Sequence, residues 1–118
     1  MIKRLNIYNG NPYKGDPLAD QNISDVMQLV NKIRLSFGQE KKIWLYTGYT
    51  WEEIYNGISL EEYDNYRWIT VSQVDYLVEG RFIDELKDLS LQFRGSSNQR
   101  IIDVQQTLQK GIITLWQN

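Results

Sequence analysis

Ile43-Trp44-Leu45-Tyr46-Thr47-Gly48-Tyr49-Thr50-Trp51-Glu52-Glu53 holds a strand, its stop and the start of a helix. The apolar, β-rich run 43–47 has the composition of a buried strand, and Gly48 closes it. Thr50 and Glu53 fit a capping box. In that motif the N-cap hydroxyl accepts from the N3 backbone N–H, and the N3 carboxylate accepts from the N-cap N–H. A strand that turns tightly into a helix is the unit step of an α/β protein.

The same step is legible on both sides. Upstream, Leu5-Asn6-Ile7-Tyr8 alternates as a short strand, and Asn9-Gly10 turns it. Residues 11–20 hold both prolines, Pro12 and Pro17, and Gly15, and read as a loop. Ile23, Val26, Met27, Val30, Ile33 and Phe37 then recur every three or four positions, the apolar stripe of a helix. Asn22 is its expected N-cap and Gly38 its stop. Downstream, Ser59-Leu60-Glu61-Glu62 fits a second capping box, and Gly57 separates two short helices expected near 51–56 and 60–67. Val74–Glu79 is a third strand stopped by Gly80. Ile83–Leu89 is a weak helix or an ordered loop, Arg100–Val104 a fourth strand and Ile112–Trp116 a fifth.

Strands alternating with helices predict an α/β fold with a mostly parallel sheet whose order follows the chain. Ligands of such sheets sit at the carboxyl ends of the strands. That edge should gather Gly10, Thr47, Gly48, Glu79 and Gly80, where glycine lets backbone approach a ligand closely. Ordinary tight turns explain the same glycines, and both readings stand at this point.

Composition narrows the chemistry. The chain has 118 residues with 42% apolar and 13% aromatic, enough for the core of one domain spanning residues 1–118. With 13 basic against 15 acidic residues it carries no footprint of a nucleic-acid or membrane-surface binder. It has no cysteine and no histidine, which removes thiolate and imidazole ligands and nucleophiles. Asp84, Glu85 and Asp88 form an acidic group that reads as a solvated face rather than a metal site. No metal ligands and no catalytic residues are assigned. Apolar runs are too short to span a bilayer, and no signal segment opens the chain, so a soluble, cytoplasmic location is expected.

Phe93-Arg94-Gly95-Ser96-Ser97-Asn98-Gln99-Arg100 concentrates guanidinium forks, hydroxyls, amides and turn-forming residues. Such a loop can hold an anion. It can equally be a solvated turn between two strands.

Three stretches carry a family resemblance: Trp44–Glu53, Asp75-Tyr76-Leu77-Val78-Glu79-Gly80-Arg81-Phe82 and Leu91–Val104, the last built around Arg94-Gly95-Ser96-Ser97-Asn98-Gln99-Arg100. In order and spacing they resemble the activating proteins of anaerobic ribonucleoside-triphosphate reductases, and Thr107–Trp116 is similar to that family's last strand. The resemblance runs over roughly residues 15–116. It implies a radical-SAM fold, a partial β/α barrel, with a [4Fe-4S] cluster held on a CxxxCxxC loop in the amino-terminal half. In that family the cluster cleaves S-adenosylmethionine reductively, and the radical takes a hydrogen from a glycine of the partner reductase. Gly15-Asp16-Pro17 matches the end of the family's Gly-Gly-Asp/Glu-Pro turn, which contacts the amino group of the S-adenosylmethionine methionine.

The departures are specific. No cysteine is present, and Lys14 stands where the turn's first glycine would be. Alternatively Asn9-Gly10 is the turn proper and Asn11–Lys14 an insertion. The chain is therefore expected to be an incomplete radical-SAM-like domain, the carboxyl-terminal half without the cluster-binding half, and inactive alone. Its expected cofactor-binding residues are Gly15, Asp16, Thr47, Gly48, Glu79, Arg94, Ser96, Ser97, Asn98 and Arg100. Its expected partner is the anaerobic reductase, with a homo-oligomer through an open sheet edge as a further expectation. The competing reading is a non-catalytic module that docks on that reductase or on a nucleotide-like ligand.

Overall fold

A computed structural model describes residues 4–8, 15–58 and 60–117. Four strands, β1 (Arg4–Ile7), β2 (Lys42–Tyr46), β3 (Tyr76–Glu79) and β4 (Arg100–Asp103), form one sheet in the order β1-β2-β3-β4. Four helices accompany them: α1 (Asp20–Phe37), α2 (Trp51–Asn56), α3 (Glu62–Val71) and α4 (Val104–Lys110). The expected α/β sheet with strand order along the chain is present.

β1, β2 and β3 run parallel, but β4 is antiparallel to β3. The connections explain this. Each parallel pair is joined through helices, long enough to carry the chain back along the sheet. Between β3 and β4 the only helical piece is a single 3-10 turn, Asp84–Leu86, so the chain re-enters the sheet from the end where it left. That segment is the ordered loop rather than the weak helix.

Alternation along the strands makes two different faces. Ile7, Ile43, Leu45, Leu77 and Ile102 point to one side, where they meet Ile23, Val26 and Val30 of α1, Ile54 of α2, Val71 of α3 and Val104 of α4. Full burial of each such side chain contributes roughly 1.5–3 kcal/mol. Trp44, Val78 and Ile101 point to the other side, with Tyr46, Tyr76 and Trp116 packed against them. Among the described residues no helix packs into that cluster. The Arg4 guanidinium lies 3.6 Å from the centre of the Trp44 ring instead. At the amino ends of the strands, Asp75 accepts from Arg34 at 2.8 Å and from the Ile43 N–H at 2.8 Å, fastening α1, β2 and β3.

Several boundaries differ from the sequence reading. α1 begins at Asp20 with Ala19 at the N-cap position, so Asn22 lies inside the first turn. Its side chain is buried and donates to the Asp16 carbonyl at 3.0 Å, stitching the loop to the helix rather than capping it. Gly38 ends α1 as expected, with φ 55°. The Thr50/Glu53 capping box is formed in both directions. Ser59 lies outside the described residues, as do Asn9, Gly10 and Asn11–Lys14. α3 starts at Glu62 and runs on to Val71, beyond the expected end, because Arg67 is buried and bound to the Leu18 carbonyl, Asp64 and Asp20.

The fifth strand is absent among the described residues. Before it, where the sequence reading places no helix, stands α4. Asp103 caps it by accepting from the Gln106 N–H, and Gly111 ends it with φ 72°. The tail then makes one bridge, Leu115 to Ile102, flanked by Asp103 N–H to Thr114 O and Trp116 N–H to Ile101 O, both 2.8 Å. These bonds cover the outer edge of β4. Among the described residues the outer edge of β1 has no strand on it.

Candidate functional site

The carboxyl ends of the three parallel strands open into a cleft of about 610 Å³. That volume lies within the range of small-molecule sites. Register places the strand ends side by side: the Thr47 N–H donates to Val78 O at 2.9 Å, and the Gly80 N–H to Tyr49 O at 3.2 Å. Thr47, Gly48, Glu79 and Gly80 therefore share one edge, as the glycine stops suggested. Gly10 lies outside the described residues.

Asp16 lines the cleft. Its carboxylate accepts from the Leu18 N–H at 2.9 Å, the Thr47 hydroxyl at 2.7 Å and the Gly48 N–H at 2.7 Å. The Gly15–Pro17 turn is thereby pinned over the tip of β2. Gly15 has φ 106°, a region that disfavours any side chain, and a Cβ there would meet the Asn22 side chain at 3.0 Å.

Glu79 faces the other way. It is 1% exposed and lies opposite Arg100 across the β3–β4 pair. Arg100 donates to both its oxygens, at 2.8 and 3.0 Å, and the Trp51 N–H at the start of α2 donates to it at 2.7 Å. Arg100 also donates to Glu52 at 2.7 Å. The paired carboxylates, Glu79 first, push the Arg100 guanidinium above its ordinary range. At Glu52 burial works upward, but the Arg100 hydrogen bond, a backbone hydrogen bond and the Arg100 charge together outweigh it, and the carboxyl lies below its ordinary value. Glu53 is held low by Arg81, which grips both its oxygens at 2.8 and 3.0 Å. Glu79 and Arg100 thus join β3, β4 and α2 behind the cleft and do not line it.

The loop between Arg94 and Arg100 spends its donors on itself and on neighbouring protein groups. The Gln99 side-chain oxygen accepts from the Gly95 and Ser96 N–H groups, and its amide donates to Gly80 O. Ser96 is fully buried, donates to the Asn98 side chain and accepts from the Ile83 N–H. Asn98 donates to Arg81 O, and the Ser97 N–H donates to Leu86 O. Arg94 differs: its one hydrogen bond among the described residues is to Gln99 O at 2.8 Å, and it lines the cleft. Of the ten expected binding residues, Gly15, Asp16, Thr47, Gly48 and Arg94 are brought together at the cleft. Glu79, Ser96, Ser97, Asn98 and Arg100 stand behind or beside it.

Four rings at the cleft are not among the expected binding residues: Tyr8, Tyr46, Phe82 and Phe93. Tyr8 stacks on Tyr46 at 4.4 Å, and burial, then Tyr8, raises the Tyr46 hydroxyl above its ordinary value. Phe82 lies so close to Gly95 that a Cβ there would come within 2.9 Å of the ring. Phe93 adopts φ 64°, unusual for a residue with a side chain, and its ring packs on Trp44 and Trp116. Period-two alternation combined with the strand register would have found Tyr8, Tyr46 and Val78 on one face. The two phenylalanines carry no such local signal.

The sequence pattern of the 4Fe-4S single cluster domain matches residues 13–102. The anaerobic ribonucleoside-triphosphate reductase-activating protein of Escherichia coli (strain K12) is 41% identical over 85 residues, 72% of this chain and 49% of that protein. The protein of that name from Vibrio cholerae is 40% identical over 87 residues, 74% of this chain and 50% of its own length. The one from Enterobacteria phage T4 is 36% identical over 87 residues, 74% and 47% respectively. The chain spans about half the length of these curated relatives. No solved structure matches it.

The residues present do not fit an iron–sulfur cluster. Such clusters are held by cysteine thiolates, and the 118 residues contain neither cysteine nor histidine. Among the described residues no group of three or more carboxylates, cysteines or histidines could hold a metal ion. Nor is any helix among them long and apolar enough to cross a membrane. Matched over residues 13–102 and similar to reductase-activating proteins along most of its length, the chain belongs to the 4Fe-4S single cluster domain family while carrying none of the family's cluster ligands.

Proposed function

We propose that the cleft binds S-adenosylmethionine and that the chain serves the activation of an anaerobic ribonucleoside-triphosphate reductase. On this reading residues 1–118 correspond to the part of a radical-SAM partial β/α barrel that follows the cluster-binding loop. The observation that carries the proposal is the Asp16 clasp. It holds the Gly15–Pro17 turn, which resembles the family's methionine-binding turn, at the mouth of a cleft between glycine-ended parallel strands. The backbone of that turn would meet the amino group of the ligand. Arg94 offers most of its guanidinium to an anionic group. The remaining loop residues, Ser96, Ser97, Asn98 and Arg100, hold Arg94 and the rim in place, and Glu79 does so through Arg100. Cluster chemistry does not follow from these residues.

Titration of the full chain with S-adenosylmethionine by calorimetry or ligand-observed NMR tests the reading. Saturable binding that weakens in Asp16→Ala is expected, and a folded chain with no binding would refute it. The absence of cysteine favours a second reading, a non-catalytic module that keeps the fold and docks on the reductase or on a nucleotide-like ligand. Both readings require that this chain alone forms no 5′-deoxyadenosine after anaerobic iron–sulfide reconstitution. Calorimetry separates them, because only the first requires S-adenosylmethionine to bind.

A further inference from the structure

Residues 81–90 are exposed without interruption, yet their backbone is tied down. Leu86 N–H donates to Ile83 O, Lys87 N–H to Asp84 O, Asp88 N–H to Gly95 O and Ser97 N–H to Leu86 O. Lys87 bridges to Ser96, which is itself fully buried. A loop held this firmly has no need to display apolar side chains for its own stability. It nevertheless displays Phe82, Ile83, Leu86 and Leu89, with Leu89 90% exposed. Single exposed apolar residues are ordinary, whereas a concentration on one ordered segment marks an interaction surface. Phe82 and Phe93 also line the cleft, so the apolar strip begins at its mouth and leads outward to Leu89.

We propose that this strip docks a polypeptide, a partner segment whose apolar side chains are flanked by lysine or arginine and which enters the cleft past Phe82. The charge of the strip selects the partner. Asp84, Glu85 and Asp88 form no salt bridge among the described residues. Against Lys87 they leave residues 82–90 with a net charge of −3 + 1 = −2. Apolar anchors within a charged rim are the anatomy of a protein-binding patch, and the acidic rim asks for a basic counterpart. Resting on the reading given above, the partner is the anaerobic reductase, whose reacting segment would have to reach the cleft. Net negative charge disfavours an anionic lipid surface as the occupant.

The test is biolayer interferometry between the full chain and the anaerobic reductase of the same host. Leu86→Ser with Leu89→Ser should weaken binding about tenfold or more, as the loss of anchor side chains does. Asp84→Asn with Glu85→Asn should flatten the salt dependence of the on-rate. Leu35→Ser, at an 88% exposed leucine of α1, should change nothing. Unchanged melting temperature and unchanged S-adenosylmethionine titration in the loop variants would show that fold and cleft survive. Equal binding by wild type and loop variants overturns the proposal, as does a wild-type chain that ignores the reductase. Binding to phosphatidylcholine vesicles that is lost in Leu86→Ser with Leu89→Ser would also overturn it, in favour of a membrane. The S-adenosylmethionine titration stands apart from these arms, so failure of the docking strip and failure of the cofactor reading are separately visible.

Discussion

Arg94 and Arg100 stand at the two ends of one loop and meet opposite fates. Arg100 pairs across the sheet with a buried carboxylate, reaches a second one at the start of α2, and is used up behind the cleft. Arg94 makes one bond to a carbonyl and faces the cleft. The same residue type in the same segment is a fastener at one end and a candidate ligand contact at the other. The difference lies in what the opposing strand supplies. Glu79 sits directly across from Arg100, and no carboxylate pairs with Arg94 among the described residues.

Removing the fastener's partner should have the largest effect. Glu79→Ala strips Arg100 of its main partner and leaves the Trp51 N–H without its acceptor, at about 3 kcal/mol. Urea unfolding measures it, and a loss below about 1 kcal/mol would mean that Glu52 alone suffices to hold Arg100. Asp16→Ala comes next. It frees three donors around the β2 tip and should cost about 2 kcal/mol, while weakening S-adenosylmethionine roughly tenfold. Stability loss without an affinity change would make Asp16 a fastener as well.

The exposed ends of the network should respond to acid. Glu52 and Glu53 have carboxyls lowered in the fold, so their contribution is fully present above the unfolded value of about 4.5 and fades as pH falls through the lower folded values. Both side chains are about half exposed, so solvent screening limits each to roughly 0.5 kcal/mol. Thermal melts between pH 6 and pH 3, on the order of that window, should be shallower for Glu52→Gln with Glu53→Gln than for wild type. Arg94→Ala should have the smallest effect on stability. A melting temperature within about 2 °C of wild type is expected, together with an S-adenosylmethionine affinity weakened roughly tenfold. A clear drop in melting temperature with unchanged affinity would place Arg94 with Arg100 and erase the contrast.

Much of this molecule was legible before any coordinates. The glycine after β2, the Thr50/Glu53 capping box and the stripe of α1 as far as Ile33 agree with the structure, because each depends on residues within a turn or two of one another, whereas Phe37 at the end of the stripe is exposed. The long Arg94–Arg100 motif and its neighbours pointed to the family that the comparisons then supported. Where reading failed, two local signals competed. Arg100–Val104 and Ile112–Trp116 are both β-rich and read as strands, while the Asp103 cap and the Gly111 stop make a helix of the residues from Val104 to Lys110. Asn22 resembles a cap by type, but burial against the Asp16 carbonyl gave its amide a different partner.

Sequence by itself determined the alternation of strands and helices, the strand ends at Gly48 and Gly80, and the absence of any thiolate ligand. These follow from short-range backbone preferences and from composition, which no packing can alter. Tertiary structure alone decided that β4 runs against β3, that Glu79 is enclosed with Arg100, and that Phe82 and Phe93 both line the cleft. Each of these depends on partners distant in the chain. Such pairing is set when the sheet closes and chooses which groups lose water together, and neighbouring residues carry no trace of that choice.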